Sequence, residues 1–222
     1  NRFTGWVDVN LSENGIKEAE KSAELIKKTN IKIHFSYTSY LKRSIKTLEI
    51  ILKENNAKNE YKNFWQLNER HYGSLTGLNK EETKKKIGEI KFKEYRRSWD
   101  IAPPPINKES DFFSKFSDLN INIPNEKVPL SESLKDTYNR VIPFYKDEVE
   151  KKMIKGKNIL ISAHGNSLRA LCKYLFKITN TEINELEIPT GNPLIIEFNE
   201  NLEISKYFYL DKNRSKEIIF KK

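Results

Sequence analysis

Apolar and polar positions along this chain follow helical and strand periods in alternation. Two amphipathic helices are predicted early, one from the N-cap Ser12 to near Asn30 and one from Leu41 to Asn55. Between them, Ile31 to Thr38 alternates apolar with polar residues, which predicts a strand. Strands that alternate with helices in this way favour an α/β fold.

The same alternation continues to the end of the chain. The further predicted elements are a strand from Tyr61 to Leu67, helices from Lys80 to Gly88, from Phe92 to Trp99 and from Ser131 or Ser133 to Lys155, a short helix from Glu182 to Glu187, and an antiparallel hairpin of 194–198 and 204–209. Pro143 should kink or interrupt its helix. No domain boundary is evident, so we predict a single domain over 1–222, with a covering loop over 101–130 and a flexible basic tail over 211–222.

The stretch from Ile159 to Leu171 is the most informative for function. Its apolar start predicts a buried parallel strand that ends at His164, and Asn166 or Ser167 is predicted to cap the helix that follows. His164 would then lie at the carboxyl end of a strand and against a helix N-terminus. Ligands of α/β proteins bind at that edge, and free N–H groups at a helix N-terminus attract anions, so we predict a phosphate or carboxylate site.

Composition narrows the functional classes. Lys and Arg total 40 against 31 Asp and Glu, which gives a formal net charge of +9. These basic residues are spread along the chain without a nucleic-acid-binding motif, so we favour a focused anion site and expect no nucleic-acid partner. No run approaches the roughly 18 apolar residues that a membrane span needs. A single cysteine, Cys172, fits a reducing compartment and a place in the core, and we expect a cytoplasmic protein without membrane contact.

Candidate anion-binding side chains fall in predicted loops and first helical turns. Arg43 lies at the start of its helix, which is the unfavourable end for a cation unless an anionic ligand is present. The other candidates are Arg70, Lys80, Arg96, Arg97 and His164. Guanidinium groups bind phosphate oxygens bidentately. Glu69 is the one carboxylate set among these cations, and it can take or give a proton beside a bound phosphate.

Two common kinds of site are disfavoured. No pair of histidines has a metal-ligand spacing and no cysteine cluster exists, and we take His34 as structural, so we expect no metal. Neither a Gly-x-x-x-x-Gly-Lys nor a Gly-x-Gly-x-x-Gly motif occurs, which disfavours nucleotide binding.

Six segments of the chain resemble the cofactor-dependent phosphoglycerate mutases of the histidine phosphatase superfamily. They stand in family order and span nearly the whole chain: Arg2 to Trp6, Tyr37 to Arg43, Leu67 to Lys80, Tyr95 to Arg97, Ala163 to Arg169 and Ile188 to Gly191. The resemblance implies a three-layer αβα fold with a mostly parallel central sheet and one antiparallel edge strand. It also implies a glycolytic and gluconeogenic isomerase that interconverts 3-phosphoglycerate and 2-phosphoglycerate, is primed by 2,3-bisphosphoglycerate, uses no metal, and forms a homodimer or homotetramer.

The resemblance also implies roles for individual residues. Glu69 would give and take the proton at the substrate hydroxyl, His164 would stabilise the phosphoryl group in flight, and Arg43 would hold it. Lys80, Arg96 and Arg97 would bind the substrate carboxylate and its other phosphate. The residues that would line the pocket are Thr4, Gly5, Arg70, His71, Tyr72, Gly165 and Asn166.

One family motif has no counterpart in this sequence. The family nucleophile is a histidine in an Arg-His-Gly motif at the end of a first strand, whereas the only His-Gly here is His164-Gly165. The resemblance therefore implies that the phosphohistidine and the first strand lie outside this chain, which would leave unpaired strand edges. A shortened chain is our preferred interpretation. The alternatives are a phospho-ligand-binding pseudoenzyme and, within the same fold, a bisphosphoglycerate mutase or phosphatase.

Overall fold

The computed structural model describes residues 1–57, 60–114 and 123–215. Its central element is a parallel sheet of order β2-β1-β3, made of β1 (Phe35–Thr38), β2 (Tyr61–Asn63) and β3 (Ile159–Ser162). Within β1, Ser36 pairs with Tyr61 on one side and with Leu160 on the other. The carboxyl ends of all three strands therefore lie at one edge of the sheet, where ligands bind in folds of this class.

A second, antiparallel sheet is formed by β4 (Leu194–Phe198) and β5 (Ile204–Tyr209). The predicted hairpin is confirmed with the same bounds, and so are the α/β class and the parallel central sheet. The antiparallel pair is a sheet of its own rather than an edge of the parallel one. The reason is that β3 pairs only with β1 among the described residues, so no strand there bridges the two sheets.

Helices connect the strands. In the described part of the chain they are α1 (Glu13–Lys28), α2 (Lys42–Glu54), α3 (Lys80–Ile87), α4 (Glu89–Arg97), the single turn α5 (Asp111–Ser114), α6 (Leu134–Phe144), the single turn α7 (Lys151–Met153) and α8 (Gly165–Leu175). Ser12 caps α1 as predicted, and Asn79 caps α3, because their side-chain oxygens accept backbone N–H groups of the first turn. No described helix has the length and apolar character needed to cross a membrane.

The largest core cluster joins residues of β1, α6 and α8, including Tyr37, Leu134, Val141 and Ala170. Cys172 lies in the same cluster, as the sequence predicted. Burial raises the pKa of its thiol to about 12. The thiol therefore stays protonated at neutral pH, which makes it a packing group rather than a nucleophile.

Several predicted elements are shorter in the structure. The strand predicted from Ile31 pairs only from Phe35 onward, because its neighbour β3 begins at Ile159, directly opposite Phe35. The strand predicted from Tyr61 to Leu67 ends at Asn63, and a 3-10 turn follows at Trp65–Leu67. The helix predicted for 182–187 is a 3-10 turn at Glu182–Asn184.

Pro143 interrupts its helix, as predicted. The residue lies inside α6, which Ser133 caps, and the backbone continues as a π-helix over Tyr145–Glu150. A proline has no N–H to donate to the preceding turn, so the regular hydrogen-bond ladder cannot pass through it.

The predicted covering loop over 101–130 is described at both ends, and residues 115–122 lie outside the described residues. Ile106 and Ile123 form a buried cluster with Trp6. Both described ends of the loop therefore pack against the N-terminal segment. Of the predicted tail, 216–222 lies outside the described residues. At its start, Asp211 accepts a hydrogen bond from Lys21 at 2.7 Å.

Candidate active site

The loop from Thr4 to Asp8 is fixed against the first turn of α2. Arg43 donates from its two Nη atoms to the carbonyl oxygens of Gly5 at 2.8 Å and Val7 at 3.0 Å. Asp8 accepts the Lys42 N–H at 2.7 Å and so caps α2. Burial lowers the pKa of Arg43, while the negative charges of Glu69 and Asp8 act in the opposite direction. This geometry places a partly buried guanidinium near Glu69, at the carboxyl end of β1.

Gly5 is required by its surroundings. Its φ is +51°, and a Cβ at this position would lie 3.1 Å from the carbonyl oxygen of Arg70 and 3.3 Å from the Tyr72 ring. A side chain here would be strained and would push the loop away from the residues that follow Glu69.

The two carboxylate oxygens of Glu69 have different surroundings. Oε1 accepts the Arg70 backbone N–H at 2.7 Å and Nδ2 of Asn166 at 2.8 Å. Within the described residues, no hydrogen bond reaches Oε2. A Cβ on Gly165 would lie 4.0 Å from Oε2, so this oxygen faces the exposed N-terminus of α8. One oxygen is therefore fully engaged and the other is available to a ligand.

A buried ion pair holds the backbone that carries Glu69. Arg140 donates to Glu132 through Nε at 2.7 Å and Nη2 at 2.9 Å, and the two side chains are only 7% and 4% exposed. The same guanidinium donates to the carbonyl oxygens of Gln66, Asn68 and Glu69, at 2.6, 2.9 and 3.0 Å. Core helix α6 thereby fixes the position of Glu69.

Arg70 and His71 are fully buried, so their side chains lie behind the open surface. Arg70 donates through Nη2 to the Tyr95 carbonyl oxygen at 2.8 Å, but its Nε and Nη1 have no hydrogen-bond partner in the described part of the chain. His71 accepts the Gly73 N–H through Nδ1 at 2.9 Å, which places its ring proton on Nε2. Burial lowers the pKa of His71 to about 4, with Arg140 adding to this effect and Glu132 opposing it.

His164 joins the ends of β3 and β1. Its Nε2 lies 2.9 Å from Oγ of Ser39, the residue that follows β1. Its backbone is extended and it is itself the N-cap of α8, so the predicted caps Asn166 and Ser167 are wrong: both lie within the first turn. Ser167 Oγ accepts the His164 N–H instead, at 3.1 Å. Burial first, and then the charges of Arg43 and Arg140, hold the pKa of His164 well below its usual value, so the ring is neutral at pH 7.

A second group of cations lies at the start of α3 and the end of α4. Lys80, Arg96 and Arg97 are each partly buried. Burial lowers the pKa of Lys80 and the charges of Arg96 and Arg97 lower it further, while Glu69 raises it. Cations whose charges lower the pKa of a neighbouring cation in this way are stabilised by a bound anion. Arg96 and Arg97 also border a surface cavity of about 450 Å³.

These groups converge on one edge of the sheet. Glu69 interacts electrostatically with Arg43 and Lys80, and Arg43 does so with His164. The other residues that the sequence singled out are close by: Thr4 and Gly5 lie in the loop that Arg43 holds, Tyr72 OH lies 3.0 Å from Asn166 Nδ2, and Gly165 starts α8. One carboxylate among several cations can bind a small anion and exchange a proton with it.

The sequence model of the histidine phosphatase superfamily (branch 1) matches residues 1–120 and 108–207. The chain belongs to the histidine phosphatase superfamily. A 2,3-bisphosphoglycerate-dependent phosphoglycerate mutase of Pelagibacter ubique (strain HTCC1062) is 52% identical to this superfamily member over 218 residues, which cover 98% of this chain and 92% of that protein.

Solved structures of the superfamily share the fold. A mycobacterial glucosyl-3-phosphoglycerate phosphatase in complex with inorganic phosphate aligns with a TM-score of 0.67 at 19% identity, covering 94% of this chain and 89% of that chain. A phosphoglycerate mutase from Bacillus anthracis aligns with a TM-score of 0.56 at 20% identity, covering 78% and 72% of the two chains. At such identities the likeness establishes the fold alone.

Sequence reasoning missed the residues that support the site of this superfamily member. Glu132 and Arg140 form the buried ion pair, and Arg169 donates from Nη1 to Asn166 Oδ1 at 2.8 Å. A signal was present for Arg140, since it lies on the same helical face as the buried residues Thr137, Val141 and Phe144. A charged residue on a core-facing stripe requires a buried partner, and that requirement could have identified the pair.

Proposed function

We propose that this protein interconverts 3-phosphoglycerate and 2-phosphoglycerate in glycolysis and gluconeogenesis, as a 2,3-bisphosphoglycerate-dependent phosphoglycerate mutase. The observation that carries the proposal is the asymmetry of Glu69, whose Oε1 is engaged and whose Oε2 is open to a ligand among Arg43, Lys80 and His164. The 52% identity with a phosphoglycerate mutase over nearly the whole chain supports the same activity.

The residues present fit a ligand with several negative charges. In addition to burial, the charges of Arg96 and Arg97 lower the pKa of Lys80 and the charge of Arg97 lowers the pKa of Arg96. The buried Arg70 keeps two donor atoms without a partner among the described residues. Such a cluster is stabilised when an anion neutralises it. When bound, 2,3-bisphosphoglycerate supplies the priming phosphoryl group.

In the proposed mechanism Glu69 Oε2 takes the proton of the substrate hydroxyl and returns it after transfer. Arg43 binds oxygens of the transferred phosphoryl group, where its fixed charge stabilises the negative charge of the transition state. His164 is neutral and contributes a hydrogen-bonding ring beside Arg43. Lys80, Arg96 and Arg97 orient the substrate through its carboxylate and remaining phosphate.

This assignment gives the described residues acid–base, binding and charge-stabilising roles. The nucleophile that the family resemblance implies, a histidine in an Arg-His-Gly motif, is not among the residues of this sequence. We further propose that the protein works as a single domain in a cytoplasmic homodimer or homotetramer, with small phosphoglycerates as its only ligands and no metal.

An enolase-coupled assay of the full-length protein tests the proposal. We expect turnover of 3-phosphoglycerate that depends on 2,3-bisphosphoglycerate, and a loss of about 10²–10⁴-fold in kcat for Glu69→Gln. Glu54→Gln is the matched control and should leave kcat unchanged, because Glu54 forms a surface ion pair with the exposed Lys27. Absence of turnover would contradict the proposal, and release of inorganic phosphate without 2-phosphoglycerate would reassign the protein as a phosphatase.

A further inference from the structure

Asn166 and the Arg70 backbone N–H together determine which oxygen of Glu69 is left for a ligand. Its Nδ2 donates to Glu69 Oε1 at 2.8 Å and to the Tyr72 hydroxyl at 3.0 Å. If the amide were reversed, its oxygen would face the carboxylate, and two acceptors would repel each other. Because Oε1 also accepts the Arg70 N–H, a correctly oriented amide gives Oε1 its second hydrogen bond and leaves Oε2 as the open oxygen.

A side-chain amide has nearly the same shape in both orientations, so its neighbours must select one. Arg169 Nη1 lies 2.8 Å from Asn166 Oδ1. A guanidinium carries donors and no acceptor, so only the amide oxygen can face it. Once that end is fixed, Nδ2 must face Glu69.

Arg169 is held so that it cannot turn away. The residue is 2% exposed, and its Nη2 donates to the carbonyl oxygens of Ile183 at 2.6 Å and Arg97 at 3.1 Å. Burial, together with the charges of Arg97 and Arg70, lowers the pKa of Arg169 to about 9, which leaves the guanidinium charged at neutral pH. Arg169 therefore links Asn166 to the end of the helix that carries the Arg96 and Arg97 cations.

We propose that Arg169 is a positioning residue that fixes the Asn166 amide and thereby leaves Oε2 of Glu69 as the oxygen that exchanges the substrate proton. The inference rests on the proposed function, because it concerns the carboxylate to which that function assigns the proton transfer. Arg169 reaches Glu69 through Asn166: its Nη atoms are directed to Asn166, Arg97 and Ile183, and its buried Nε has no hydrogen-bond partner among the described residues.

The first test needs no catalysis. The side-chain NH₂ resonances of Asn166 can be assigned in a ¹H–¹⁵N spectrum of the protein by their loss in Asn166→Asp. In the wild type we expect a dispersed pair that reflects the bonds to Glu69 and Tyr72. In Arg169→Met the pair should move to the position of a free amide, and Arg169→Lys should restore it because lysine keeps a donor. Unchanged resonances in R169M would overturn the inference, whatever the activity.

The second test is a double-mutant cycle in the full-length enzyme. R169M should lower kcat about 10–100-fold while KM changes much less, because a residue that orients a reacting group acts mainly on the chemical step. In an Asn166→Ala background R169M should have little further effect, since its partner is already absent. If R169M lowered kcat by the same factor in the wild type and in the Asn166→Ala variant, the inference would be overturned.

Lys173→Met is the matched control for a purely structural effect. Lys173 lies one turn later on α8, is 9% exposed, and donates to the Ile178 carbonyl oxygen at 2.6 Å without contacting Asn166. K173M should lower stability but keep kcat, and an equal loss of kcat in K173M and R169M would overturn the inference. Should R169M fail to fold, Arg169→Leu carries the same expectations, because leucine also lacks a donor. A wild type without mutase turnover would refute the proposed function and leave the resonance test of Arg169 intact.

Discussion

His71 makes the stability of this protein sensitive to mild acid. The residue is fully buried, and burial lowers the pKa of its ring from 6.5 to about 4. The unfolded chain therefore binds a proton near pH 6.5, whereas the folded protein binds it only near pH 4. Acid thus favours the unfolded state: the contribution of His71 is fully present above pH 6.5 and is lost as the pH falls towards 4.

The size of the effect follows from the two pKa values. A separation of about 2.5 pH units corresponds to about 3 kcal/mol when the ring is fully titrated. Most of this difference arises between pH 7 and pH 5, where the same linkage lowers the free energy of unfolding by about 2 kcal/mol. That is a substantial part of the total stability of a typical domain.

Urea unfolding at pH 7 and pH 5, followed by tryptophan fluorescence, measures this loss. His71→Asn keeps an acceptor for the Gly73 N–H but does not titrate in this range. We expect H71N to lose about 2 kcal/mol less than the wild type between the two pH values. His164→Asn should flatten the pH dependence in the same direction, because the pKa of His164 is also lowered. Equal losses in the wild type and H71N would refute the reasoning.

Three further predictions concern the core, the ion pair and the cation group. Leu171→Ala should cost about 2–5 kcal/mol of unfolding free energy, measured in urea, because the side chain is buried in the main core. A loss below about 1 kcal/mol is typical of an exposed site and would contradict that burial. Arg140→Met should cost about 3–5 kcal/mol, because it leaves Glu132 buried without its partner. Thermal or urea unfolding checks this, and Arg140→Met combined with Glu132→Leu should recover part of the loss. Arg96→Ala should weaken the binding of 2,3-bisphosphoglycerate about 10–100-fold in calorimetry; unchanged affinity would place the ligand elsewhere.

Local patterns predicted the parts of the fold that depend on near neighbours in sequence. The hairpin of β4 and β5 has its predicted bounds because strand alternation and the turn lie within one short stretch. The starts of α1 and α3 follow from their caps, Ser12 and Asn79, because each cap acts within the first turn of its own helix. Strand β1 is shorter than its pattern, because its length depends on where the distant β3 begins.

The candidate site shows the same difference between features set by near neighbours in sequence and features set by distant residues. The cations and Glu69 could be found from their chemistry and their places in predicted loops and first turns. The pattern of α6 could mark Arg140 as a buried charge in need of a partner, but not what the pair supports. Glu132 accepts the His71 N–H and Arg140 donates to the Glu69 carbonyl oxygen, and both of these bonds span more than 60 positions. The cap of α8 was misplaced because the extended backbone of His164 lets the helix begin at Gly165. Such contacts depend on three-dimensional proximity that no sequence period records.

The anchoring of Glu69 to α6 has a consequence for how the protein would respond to destabilisation. Three carbonyl groups around Glu69 bond to an arginine of a helix in the largest core cluster, so this loop segment belongs to the same cooperative unit as the core. Glu69 therefore cannot fray independently of the core, as residues of surface loops often do. The loss of the Glu69 geometry should therefore coincide with global unfolding in a denaturant titration. By the same connection, substitutions inside α6 should alter turnover although they lie far from the open side of the site.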